Sequence, residues 1–121
     1  MFDYRPLKTI AITEFSDIIA GADILQGRVL RLFVRNGSYT DIFYSTRSPT
    51  RRYAYHWEHR MIDGTLYRHD NVPDGAWASV KTFPKHYHDG SEDQVRESDL
   101  SDTPEEAIRA FLFFVREKLT L

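Results

Sequence analysis

The sequence predicts an α+β fold: an antiparallel β-meander of four or five strands packed against a C-terminal α-helix. Three observations carry that prediction. Asn36-Gly37 and Asp63-Gly64 each sit between β-prone runs, the pattern of a β-hairpin. Near the C-terminus, Ile108, Phe111, Leu112, Val115 and Leu119 fall on one stripe at helical spacing. A one-sided sheet leaves an apolar face that needs a cover, and this stripe supplies it.

Taken in order, "ITEFSDIIAGADIL" (12–25) suits either a short helix ending near Gly21 or an irregular strand leading to Leu25. "RVLRLFVR" and "SYTDIFYS" flank Asn36-Gly37, where a two-residue type I′ turn requires φ > 0 at both central positions. "STRSPT" (45–50) reads as a loop. "RRYAYHWEHRMI" and "TLYRHDN" then form a second hairpin about Asp63-Gly64, which makes four consecutive antiparallel strands. Pro73 in "VPDGAWAS" disfavours a central strand, "VKTF" is a candidate edge strand, and "PKHYHDGSEDQVRESDLSD" reads as polar loop. Thr103-Pro104-Glu105-Glu106 opens the last helix with an N-cap hydroxyl, proline at the first helical position and a capping-box glutamate.

Length and composition bound the function. The chain of 121 residues is expected to form a single domain, 1–121. Its apolar content of 41% excludes a disordered chain. No run approaches the ~18–20 apolar residues of a membrane span, and "MFDYRPLKTI" lacks the order of a signal peptide. The expected location is the cytoplasm, away from membranes. With no cysteine, disulfides and thiolate metal sites are ruled out. Charge is uneven: residues 46–68 hold five arginines against two acids, and residues 89–106 hold eight acids against Arg96. That split suggests a basic face for phosphates and an acidic segment turned elsewhere.

The second hairpin places the polar residues. If Asp63-Gly64 is a two-residue turn, facing residues sum to 127, and Glu58 lies across from His69. One face then carries Tyr53, Tyr55, Trp57, His59, Met61 and Leu66, and is core-like with His59 at its rim. The other carries His56, Glu58, Arg60, Tyr67, His69 and Asn71. A carboxylate opposite an imidazole holds its tautomer or raises its pKa. All five histidines fall within residues 56–88, and "TFPKHYHDG" reads as a loop returning His86 and His88 toward this face.

Three chemistries fit these residues. Metal-free RNA cleavage needs an acid and a base near neutral pKa and a cation for the phosphate. Here His56, His69, His86 and His88 are the candidate acid–base residues, with Glu58 as their orienting carboxylate. Arg60, Arg68 and Lys85 are the candidate phosphate ligands, and Asn71, Tyr55 and Tyr67 the candidate base or backbone contacts. This leading reading needs no cofactor and no metal ligand. Metal binding is the second: His86-x-His88 with Asp70, Asp89 or His56 can chelate a divalent ion. The third is a non-catalytic sheet that binds nucleic acid or protein. Trp57 and Trp77 read as core or loop anchors, and Asp70 as a residue starting the turn before Pro73.

The segments "YAYHWEHRMIDGTLYRHDNVP", "VKTFPKHYHDGSED" and "SDTPEEAIRAFLFFVREKL" resemble the TumE family of small toxins over roughly residues 25–118. The most distinctive parts are Tyr-x-Tyr-His-Trp at 53–57, Arg-His-Asp-Asn at 68–71 with Pro73, and Phe-Pro-x-His-x-His at 83–88. Members commonly carry one or two histidines just after that proline, where this chain has Asp74-Gly75. The resemblance implies a toxin acting on RNA or translation, held inactive by a co-encoded helix-turn-helix antitoxin. The expected partners are that antitoxin, RNA and a second copy of the chain.

Overall fold

The computed structural model describes residues 1–46 and 51–120, so positions 47–50 of the expected 45–50 loop lie outside the described residues. A single sheet takes in strands β1 (Ile19–Leu25), β2 (Val29–Val34), β3 (Tyr39–Tyr44), β4 (Tyr53–His59), β5 (Thr65–Asp70), β6 (His86–Gly90) and β7 (Val95–Glu97). Each strand pairs antiparallel with the next, in sequence order. The helices are α1 (Arg5–Glu14), α2 (Arg60–Asp63) and α3 (Pro104–Leu119). The α+β meander backed by a C-terminal helix is as expected, with seven strands in place of four or five. Among the described residues no helix is long and apolar enough to cross a membrane.

Alternation builds the core. Leu30, Leu32 and Val34 on β2, Thr40, Ile42 and Tyr44 on β3, and Tyr53, Tyr55 and Trp57 on β4 are buried at every second position. They face α1 and α3, whose Leu7, Ile10, Ala11, Ile108, Phe111, Leu112 and Val115 complete one cluster. The α3 stripe is therefore the sheet's cover, with Leu119 packed at its edge. The ambiguous stretch 12–25 resolves as a helix end followed by a strand: α1 stops at Glu14 and β1 starts at Ile19. Helix α3 starts where expected, yet Thr103 contributes no side-chain cap. Instead, Ser101 Oγ donates to Glu106 Oε1 at 2.7 Å and accepts from the Thr103 N–H at 3.0 Å.

Turn chemistry corrects several expectations. At the first hairpin only Gly37 of the pair has positive φ, at 94°. Asn36 acts through its side chain, whose Oδ1 accepts from the Ser38 N–H at 3.0 Å. The second hairpin is wider than a two-residue turn. Residues Arg60–Asp63 form one helical turn, and Gly64 closes it at φ 81°. Asp63 Oδ1 accepts from the Thr65 N–H at 3.0 Å and lies 2.7 Å from His59 Nδ1, which anchors both ends of the loop. Met61, 97% exposed, sits on that loop and not in the core.

The pairing is therefore His56↔Arg68, Trp57↔Tyr67 and Glu58↔Leu66, so facing residues sum to 124. A shift by an odd number turns every β5 side chain to the opposite face from that expected. Tyr67 and His69 face the helices. Arg68 and Asp70 join His56 and Glu58 on the outer face. Leu66 is buried but stands apart from the main core cluster.

The segment after Pro84 is also not the expected loop: it supplies β6 and β7. Val80–Phe83 forms a turn instead of an edge strand, with the Phe83 N–H donating to the Val80 carbonyl at 2.9 Å. The acidic segment does not turn away either. Glu92 lies 2.7 Å from Arg68, and Asp102 lies 3.4 Å from Lys85.

Candidate functional site

Two local rules assemble the site. Side chains two apart on a strand share a face, so Arg68 and Asp70 of β5 point the same way, as do His86 and His88 of β6. The β5–β6 register then sets Arg68 opposite His88 and Asp70 opposite His86. The four side chains line an open cavity of about 400 Å³ with Val72, Asp74, Trp77, Glu92 and Asp93. A larger cavity, about 610 Å³, is lined by Met1, Phe2, Arg28 and Phe43 among others. Among its described lining residues there is no histidine or carboxylate, so the smaller cavity is the candidate site.

Asp70 is the hub. Its Oδ1 accepts from the Val72 N–H at 3.0 Å and lies 3.2 Å from His86 Nε2. Its Oδ2 lies 3.3 Å from Arg68 Nε and 4.0 Å from His88 Nε2. The other nitrogen of each imidazole is tied to the backbone: His86 Nδ1 lies 2.9 Å from the Pro84 carbonyl and His88 Nδ1 3.0 Å from the Glu92 carbonyl. Both rings are buried. Burial pulls the pKa of His88 below the usual imidazole range, a push that the Glu92 carbonyl partly offsets. The donor atoms of Asp70, His86 and His88 lie within 4.8 Å of one another, a set able to hold a metal ion.

A second tier leads outward from Arg68. Its Nη1 lies 3.4 Å from His56 Nδ1, and His56 Nε2 lies 3.1 Å from Glu58 Oε1. Glu58 is held chiefly by Arg60, whose Nη2 donates to it at 2.6 Å and which, with His56, keeps the carboxyl down to about 2. The outer-face cations are thus matched by carboxylates. Arg31 pairs with Asp41, Arg60 with Glu58, and Arg68 with Asp70 and Glu92, while Arg96 and Asp89 pair on the helix side of the sheet. Of the five arginines in residues 46–68, Arg60 and Arg68 pair with carboxylates, so the basic face expected from composition is offset at those two positions.

Of the sequence-derived candidates, Arg68, His86 and His88 meet in the cavity, with His56 and Glu58 behind Arg68. The others lie elsewhere. Tyr55 is fully buried in the core, its hydroxyl 2.6 Å from that of Tyr44. Tyr67 packs between Trp57 and Phe114 on the helix side. Asn71 is structural: its Oδ1 accepts from the Tyr53 N–H and its Nδ2 donates to the Arg51 carbonyl. Lys85 pairs with Asp102, and Arg60 sits on the exposed α2 turn. Trp77 and Glu92 are the additions, and Asp70, named from the sequence only as a metal ligand or the start of a turn, becomes the centre of the cluster. The signal for Asp70 was present as Arg-x-Asp at 68–70 and His-x-His at 86–88, two alternating pairs that become one cluster once β5 and β6 adjoin.

His69 lies on the core side, its ring stacked on Tyr87 at 4.4 Å and its Nδ1 2.7 Å from Ser98 Oγ. Burial, helped by the charge of Lys85, holds its pKa down to about 4. The unfolded chain protonates near 6.5, so it binds a proton more readily than the folded one. This contribution is present above about pH 6.5 and is lost as pH falls toward 4. The loss is expected to reach about 3 kcal/mol at most. Urea melts of wild type and His69→Phe at pH 7 and pH 5 check it. The wild type should lose more stability between the two than the variant.

Against known proteins, the family model described as toxin TumE matches residues 9–119, nearly the whole chain. No curated protein and no solved structure matches.

Proposed function

This chain belongs to the TumE toxin family, and from that premise we propose that it is the toxin of a toxin–antitoxin pair and cleaves RNA at the Arg68–Asp70–His86–His88 cavity. The observation that carries the reading is the convergence of two buried imidazoles and a guanidinium on one carboxylate at an open cavity. Arg68 supplies the phosphate ligand. His86 and His88 work through Nε2, because Nδ1 is engaged with backbone carbonyls. Asp70 orients the cluster, and His56 with Glu58 positions Arg68. Trp77, at the cavity wall, offers a face on which an unpaired base stacks. In the reaction the RNA 2′-oxygen attacks phosphorus and loses its proton, and the P–O5′ bond breaks. The 5′-oxygen takes up a proton, leaving a 2′,3′-cyclic phosphate and a 5′-hydroxyl.

The pairing of Arg31, Arg60 and Arg68 with carboxylates favours a second reading, a module that blocks RNA or the translation machinery without cutting. In both readings a cognate antitoxin, expected to be a helix-turn-helix protein, silences the toxin in the cytoplasm.

One experiment separates them. Purified protein is incubated with total RNA in excess EDTA, and again with added divalent metal, beside a variant carrying His86→Ala and His88→Ala. Cleavage by wild type alone, in either buffer, supports the nuclease. Silence in both, with RNA binding retained by the variant, leaves the binding module. Arg68→Ala is expected to lower the cleavage rate by about 100-fold, as for loss of a donor to a charged transition state, and Arg68→Lys to recover part of it. Single-turnover cleavage of a labelled RNA measures both.

A further inference from the structure

We infer that Asp70, His86 and His88 form a binding site for one first-row divalent transition ion, Zn²⁺ in the first place. The site is the one proposed above for RNA cleavage, but the ion follows from the protein's own geometry without reference to RNA.

The reasoning starts at the far side of each ring. A carbonyl oxygen only accepts hydrogen bonds, so the contacts of His86 Nδ1 with the Pro84 carbonyl at 2.9 Å and of His88 Nδ1 with the Glu92 carbonyl at 3.0 Å place a hydrogen on each Nδ1. A neutral imidazole carries one N–H, so each ring turns an Nε2 lone pair toward Asp70. This is the outer support that metal-binding histidines characteristically carry, the remote N–H donated to a carbonyl and the near nitrogen aimed inward. Lone pairs facing a carboxylate repel unless a cation lies between them. A proton serves His86, which is 3.2 Å from Asp70 Oδ1. It does not serve His88, whose 4.0 Å separation from Oδ2 exceeds a hydrogen bond. One ion held by all three donors satisfies both rings.

Size and surroundings agree. The three donor atoms lie within 4.8 Å of one another, and an ion at about 2.1 Å from each donor requires only a small inward closure of side chains that are already buried. The side chains of Asp70, His86 and His88 are 11%, 3% and 4% exposed, yet the cavity in front of them is open and carries Asp74, Glu92 and Asp93 at its wall. Three protein ligands with an open side is the pattern of a working metal centre, not a closed structural one. Arg68 occupies only the Oδ2 side of Asp70 and is drawn toward Glu92 at 2.7 Å, and Oδ1, which accepts from the Val72 N–H at 3.0 Å, keeps its second lone pair for the ion. Two imidazoles and one carboxylate select transition ions over Mg²⁺ and Ca²⁺, which prefer oxygen ligands.

The full chain, stripped with EDTA and dialysed, is titrated with Co²⁺ in the absence of RNA, following visible absorption and tryptophan fluorescence. The Trp77 ring lies 6.1 Å from that of His88, within quenching range of the bound ion. The expected result is one Co²⁺ per chain, displaced by Zn²⁺ and not by Mg²⁺. His86→Ala and His88→Ala should each weaken binding by at least about 100-fold, more than loss of an outer hydrogen bond costs. His59→Ala, which removes an imidazole paired with Asp63 on the α2 turn, should leave binding unchanged. Circular dichroism on the same samples reports folding, and His88→Asn replaces the alanine variant if that one unfolds. Absence of a Co²⁺ spectrum at millimolar ion, or equal binding by the His86→Ala/His88→Ala double variant, overturns the inference. RNA cleavage that persists in EDTA overturns the ion and leaves the nuclease standing. Tight Co²⁺ binding by a protein that cuts no RNA supports the ion and removes the nuclease.

Discussion

Phe111→Ala is expected to lower the melting temperature by about 10–20 °C, a loss of about 3–5 kcal/mol. Phe111 is 1% exposed at the centre of the contact between α3 and the sheet. Its ring lies 5.5 Å from that of Tyr55 and 6.2 Å from that of His69. Truncation leaves a cavity that neither a strand nor a helix can close without moving the whole layer, because both faces are set by backbone pairing. Phe113 offers the control on the same helix. It is 55% exposed, so Phe113→Ala should change the melting temperature by no more than a few degrees. Thermal melts followed at 222 nm compare the two directly. Similar shifts for both variants would show that α3 does not pack as described.

Replacing His86 or His88 by alanine is expected to abolish growth arrest when the chain is expressed without its antitoxin, through a loss of about 10²–10⁴-fold in activity. His69→Phe, by contrast, should remain toxic. Phenylalanine keeps the stack on Tyr87 and the contact with Phe111, and gives up only the bond to Ser98. The pair of results tests the register itself. A β4–β5 pairing summing to 127 puts His69 beside Glu58 on the outer face and makes it a reactive group. The observed pairing makes it a core residue and brings Arg68 and Asp70 outward instead. Arrest lost in the His69 variant but retained in the His88 variant would reverse the assignment. Colony counts after induction, with soluble protein levels measured in parallel, separate lost activity from lost protein.

Much of the architecture was legible from periodicity. Leu30, Leu32 and Val34 against Thr40, Ile42 and Tyr44 alternate as half-buried strands must. Ile108, Phe111, Leu112 and Val115 recur as a packed helix must. These signals are local and repeat many times, so one unusual residue does not spoil them. The strands β6 and β7 were not legible, because "HYHDG" and "VRE" are polar. Their burial is that of hydrogen-bonded histidines, not of apolar side chains, and no hydropathy pattern marks it. Helix α1 was missed for a related reason. Of its ten residues only Leu7, Ile10 and Ala11 are buried, too short a stripe to stand out beside the mixed run that follows.

The site depended on a single turn. Asp63-Gly64 looks like a two-residue loop, but Asp63 accepts from the Thr65 N–H and pairs with His59, which steadies a longer turn instead. That choice exchanges His69 for Asp70 on the outer face. Local pattern alone therefore carries the meander, the helix that covers it, the family, and His86 and His88 as candidates, though on an expected loop and not on a strand. Only the tertiary structure decided what those histidines meet. Periodicity is a property of one segment and is written into it. Register between segments is decided by how a loop closes and by which buried polar groups find partners, and those energies exist only once the strands are side by side.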